Sequence, residues 1–150
     1  MRIVLLAVLA PLLMAASDPF VGVWKLNPEK STFEKGAKPP SPGVSMEYSR
    51  NGDVVTVTAI VPMAGGRQHK IVHTETYDGK PHDRYEGAPN GETLTHRRLD
   101  ERTVETVWRK DGKPMATTTR TVSADGRTLR SVVRSTGKSE PDTVMVYDRQ

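Results

Sequence analysis

The chain has no cysteine, and aromatic residues make up only 5% of its 150 positions. The first absence excludes a disulfide-stapled scaffold, a cysteine nucleophile and a thiolate metal site, leaving hydrogen bonds and packing to hold the fold. The second leaves two tryptophans and two phenylalanines to anchor a core, so the position of each is informative. No Gly-x-Ser-x-Gly elbow, glycine-rich phosphate loop or dinucleotide fingerprint occurs. The four histidines, His69, His73, His82 and His96, lack the tight His-x-His or His-Glu-x-x-His spacing of a metal site and read as exposed side chains. Acidic pairs such as Asp100-Glu101 fall at turns, where carboxylates are solvated rather than tuned. Neither an enzyme nor a resident metal or cofactor is expected.

Long apolar runs are absent too, except at the start. Met1-Arg2 is a short positive segment, residues 3–14 are apolar, and Ala15-Ala16-Ser17 supplies small residues for cleavage. That pattern reads as a signal peptide over residues 1–17, too short to span a bilayer. Residues 18–150 then form one mature domain, soluble, monomeric, and periplasmic or secreted.

Loss of Arg2 leaves 21 basic against 18 acidic side chains, a net charge of +3. The excess is concentrated in residues 94–138, with eleven Lys/Arg and five Asp/Glu. A surface for an anionic envelope component would use it. The plainer reading is a solvated outer face whose arginines alternate with inward residues. Export and the interspersed acids argue against nucleic acid.

What the chain does have is a regular succession of short Val/Thr/Ile/Tyr-rich runs. They are punctuated by Asn51-Gly52, Gly65-Gly66, Asp78-Gly79, Asn90-Gly91, Asp111-Gly112 and Asp125-Gly126. Such dipeptides tolerate the positive φ of two-residue hairpins. Strands are predicted at 20–26, 44–50, 54–62, 69–77, 82–86, 92–99, 103–110, 113–123, 128–135 and 143–148. No helical crossover separates them, so the fold is all-β, an antiparallel up-and-down barrel of about ten strands that closes to hide its edges. A two-sheet sandwich is the alternative. Asn27 followed by Pro28 and Glu29 predicts a short helical turn, then a proline-rich loop to Gly43 at the mouth, with Phe33 tucked under the barrel. Threonine-rich strands such as Thr117-Thr118-Thr119 suit a partly polar cavity better than a tight apolar core.

Gly22-Val23-Trp24 near the start of the first strand resembles the Gly-x-Trp motif of lipocalins and the wider calycin group. The order Gly-Val-Trp-Lys-Leu-Asn-x-x-Lys-Ser-x-Phe after a leader is similar to the opening of small exported bacterial lipocalin-like proteins, as are Tyr77-Asp78-Gly79-Lys80 and residues 122–129. The ten-strand count and the ending Val144-Met145-Val146-Tyr147-Asp148-Arg149 resemble intracellular fatty-acid-binding proteins more. Those end in an Arg-x-Tyr strand that, with an arginine two strands earlier, holds a ligand carboxylate. Here Tyr147 matches the tyrosine and Arg120 the earlier arginine, while Met145 replaces the other arginine and residues 27–43 replace the two-helix lid. The resemblance thus implies the barrel and a cavity for a more apolar ligand.

Trp24 is expected to close the barrel bottom, beside Gly22 and under a basic side chain of the last strand, Arg149. Trp108 shares a face with Val104 and Thr106, lining the cavity if that face is inward or packing in the core. Arg120 shares a face with Thr118 and Val122. Inward, it needs an anionic ligand or a buried carboxylate; the ordinary reading is an outward, solvated arginine. Tyr85 and Tyr147 suit either a wet cavity or a barrel wall. Trp108, Arg120, Tyr147, Tyr85 and Met145 are the candidate ligand contacts. The expected function is an exported binding protein for a small hydrophobic molecule, the alternative an envelope accessory protein that docks an anionic partner.

Overall fold

The computed structural model describes residues 18–37, 39–83 and 91–150. The leader at 1–17 and Tyr85 lie outside them. Ten antiparallel strands form one up-and-down sheet: β1 (Gly22–Leu26), β2 (Ser45–Asn51), β3 (Val54–Pro62), β4 (Gln68–Thr76), β5 (Asp78–Asp83), β6 (Glu92–Asp100), β7 (Thr103–Lys110), β8 (Lys113–Val122), β9 (Thr128–Ser135) and β10 (Thr143–Arg149). The sheet runs in the order β4-β3-β2-β1-β10-β9-β8-β7-β6-β5, so β1 joins the first meander to the last strand. Trp24 pairs with Arg149 and Leu26 with Tyr147. β4 and β5 are the two edges of the sheet and share no hydrogen-bonded ladder among the described residues; β4 comes round into contact with β6, and the barrel is nearly closed.

That gap corrects one expectation. Asp78-Gly79 does not turn a β4–β5 hairpin. Instead β5 begins at Asp78, ahead of the predicted 82–86, and bulges against β6 between Asp78 and Pro81. Pro81 has no N–H to give a ladder, which suits it to an edge strand. Asp111-Gly112 behaves as its chemistry dictates: both residues take positive φ, 49° and 75°, in the tight β7–β8 turn. Asn27 caps a single 3-10 turn, Pro28–Lys30, accepting from the Lys30 N–H at 3.2 Å. Phe33 is half-buried beside the loop that joins β9 to β10, and does not enter the barrel. The residue that does is Phe20.

The strand alternation sorts the interior into levels. At the end bearing the starts of β1, β7 and β9, Phe20, Trp24, Val55, Val104, Val122 and Leu129 fill the barrel completely. Trp24 is 0% exposed, and full burial of such a ring contributes on the order of 3 kcal/mol. Arg149 covers it, its guanidinium 4.2 Å from the indole centroid, and donates to the carbonyls of Gly126 (2.6 Å), Val21 (2.8 Å) and Pro19 (2.5 Å). Gly22 is what permits this. Its φ is +136°, and a Cβ there would stand 2.6 Å from Arg149 Nη1. Asp18 straps the leading segment to the same end through Arg50 (2.8 Å) and Arg98 (2.7 Å). This end is closed.

Candidate functional site: the barrel interior

Moving along the strands toward the other end, the inward positions turn polar and then apolar around an open space. On β8 the inward series is Val122, Arg120, Thr118, Ala116; on β7 it is Val104, Thr106, Trp108; on β9 it is Leu129, Ser131, Val133. The cavity has a volume of about 360 Å³. Its apolar walls are Met46, Leu94, Trp108, Ala116, Val133 and Met145, with Val57 deeper on β3. Those walls lie toward the end where residues 27–43 link β1 to β2, the place the sequence suggests for a mouth.

The middle of the barrel is a buried polar belt built on Arg120. This corrects the ordinary sequence reading, because Arg120 faces inward and is 7% exposed, not solvated. Its partner is Glu75 of β4, 2% exposed. The pair is a two-pronged fork: Nη1 donates to Oε1 and Nη2 to Oε2, each at 2.8 Å. Nη1 also donates to Tyr48 Oη (3.0 Å) and Nη2 to Thr106 Oγ1 (3.0 Å). Burial alone would raise the Glu75 pKa, but the Arg120 charge, and hydrogen bonds from His73 and Arg120, hold it far below the ordinary carboxylate range. Burial likewise opposes the Arg120 charge, and Tyr48 and Glu75 more than restore it. Both groups therefore stay ionised, and their charges cancel.

Two histidines complete the belt. His73 Nε2 lies 3.2 Å from Glu75 Oε1, and His96 Nδ1 lies 2.9 Å from Thr106 Oγ1. Burial drives the His96 pKa down to about 4, outweighing the attraction of Glu75, so its ring is neutral at neutral pH. Thr106 accepts from Arg120 and has its own proton to give. His96 Nδ1 is the acceptor within reach, which assigns the His96 proton to Nε2.

Of the candidate contacts, Trp108, Arg120, Tyr147 and Met145 all line this one cavity. Tyr147 Oη lies 3.4 Å from Met145 Sδ, and burial raises its pKa to about 12, so it remains a phenol. The sequence places Thr106 on the face of Trp108 but gives it no role, and marks neither Tyr48 nor Ser131 as a contact; the reading of the histidines as exposed is corrected at His96, which is 3% exposed. Glu75 and His73 share a parity on β4, and that alternation is the signal that could have joined them. Among the described residues no group of three or more His, Cys, Asp and Glu side chains could hold a metal ion. His82 is exposed on β5, 2.9 Å from Asp78.

No family model matches the chain, and no curated protein is similar enough to count as a relative. Solved structures do match. The wild-type fluorescent protein UnaG superposes with a TM-score of 0.60 at 19% identity, covering 87% of this chain and 97% of its own. The fatty-acid-binding protein of Manduca sexta gives 0.59 at 20% identity, covering 86% and 98%. Secretory abundant heat soluble protein 4 of Ramazzottius varieornatus gives 0.61 at 18% identity, covering 89% and 96%. The fold is that of these fatty-acid-binding-protein-like barrels, an all-β up-and-down barrel of ten antiparallel strands. At these identities the likeness establishes the architecture and leaves the ligand to the residues of the cavity.

Proposed function

We propose that the protein is an exported carrier that holds a small, largely apolar molecule inside the barrel. The observation that carries this is the cavity of about 360 Å³, sealed at one end by Trp24 and Arg149 and walled by apolar side chains above a charge-paired polar belt. A barrel built only for stability would fill that volume, because close packing favours side chains over space. The neighbour from Manduca sexta, named for fatty-acid binding, uses the same architecture. Export rests on the leader pattern of residues 1–17.

The competing role, docking onto an anionic envelope component, would draw on Arg130 and Arg134, exposed on the outer face of β9. Across the register they meet Thr121, Val146 and Thr117, so they form two separated cations and not a basic patch. The cavity is the stronger feature. Native mass spectrometry of the protein released gently from its own cells tests the proposal. The expected result is a reproducible extra mass of a small apolar molecule, lost on denaturation. A bare chain mass that stays bare after incubation with a lipid extract of the same cells contradicts it.

A further inference from the structure

Arg120 is the one cationic side chain among the described residues lining the cavity, apart from what the two histidines could carry. Its five N–H groups decide what it can offer a guest. Two go to the oxygens of Glu75, one to Tyr48 and one to Thr106. Only Nε–H is left, buried and without a partner among the described residues. The fork that would otherwise grip a ligand carboxylate is thus filled by a carboxylate of the chain itself.

A second acid entering the belt would have to share one guanidinium with Glu75. Like charges brought together out of water are disfavoured, and displacing Glu75 would strand it buried and unpaired. His96 is neutral and hydrogen-bonded to Thr106, so it supplies no compensating charge. A neutral acceptor is different. A carbonyl or hydroxyl oxygen can take a single N–H, or the proton of a phenol such as Tyr48, without disturbing the ion pair. We propose that the Glu75–Arg120 pair makes the cavity selective for uncharged amphiphiles, an apolar chain ending in a carbonyl, amide or alcohol, against the corresponding carboxylates. This rests on the carrier reading and specifies the class of its cargo.

Titration calorimetry of the delipidated protein at neutral pH, with lauramide, dodecanol and laurate as matched probes, tests it. The wild type should bind lauramide and dodecanol at least tenfold more tightly than laurate. Glu75→Gln, which frees part of the Arg120 fork, should shrink that ratio at least tenfold or invert it. Laurate bound as tightly as lauramide by the wild type overturns the selectivity while leaving the carrier standing. An unchanged ratio in a folded Glu75→Gln protein overturns the role of the pair. If that variant does not fold, the wild-type comparison still decides. If no probe binds, the carrier reading fails and the selectivity with it.

Discussion

Arg149 and Arg120 are both drawn toward the barrel interior, at opposite ends of its filled half, and they are held in opposite ways. Arg149 lies on the Trp24 ring and spends its donors on three backbone carbonyls, with no acid against it among the described residues. Its charge stays at the rim, half-exposed, where water still screens it. Arg120 lies deep, matched by an acid from the far side of the sheet, with two hydroxyls taking its remaining Nη donors. One arginine fastens chain to chain across the β1–β10 seam and leaves no room. The other sits under a space and neutralises itself. A backbone-held cation makes a lid, whereas an acid-held cation makes a lining whose net charge is zero.

The contrast can be broken at either arginine. The larger effect is expected at Arg120. Removing one member of a buried ion pair costs about 3–5 kcal/mol, because the partner is left charged in a dry site. Arg120→Met should therefore lower stability by roughly that amount, and adding Glu75→Leu should recover most of it. Urea unfolding of the two single variants and the double variant checks this. A double variant no more stable than Arg120→Met alone would show that the belt is held by something other than the pair. A smaller effect is expected at the closed end. Gly22→Ala places a methyl against Arg149 and forces an L-residue into a positive-φ conformation, at a cost of about 1–3 kcal/mol. Stability should fall while the affinity for a cavity ligand stays within about twofold of wild type. A large loss of affinity in that variant would mean the two ends are not separable.

The difference between the two ends also explains how much of the molecule was legible beforehand. Strand number and order follow from turn chemistry, because Asn51-Gly52, Asp111-Gly112 and Asp125-Gly126 each favour the backbone a hairpin needs. The residues that meet at the closed end, Gly22, Trp24 and Arg149, are ones whose size or backbone freedom marks them in the sequence. The belt is quieter. Threonines occupy both faces of β8, so Arg120 has no polar–apolar contrast to reveal its side, and on β4 the exposed Ile71 and Val72 blur the parity that would have turned Glu75 inward. Asp78-Gly79 misled for a related reason. The dipeptide supplies the positive φ of a turn, yet here Gly79 uses it inside an edge strand that pairs on one side only. Long-range pairing of two lone charges, Glu75 and Arg120, forty-five residues apart, leaves no local trace.

The chain's two tryptophans report on the two ends separately: Trp24 lies in the closed plug and Trp108 in the cavity wall. The most direct test of a filled end and a ligand-accepting end is therefore tryptophan emission during titration with lauramide, in the wild type and in Trp108→Phe, with calorimetry confirming saturation of both. The wild-type spectrum should shift on binding, and the emission of Trp24 alone, in Trp108→Phe, should not change. A shift of equal size in Trp108→Phe would place the bound molecule at the wrong end and contradict the account.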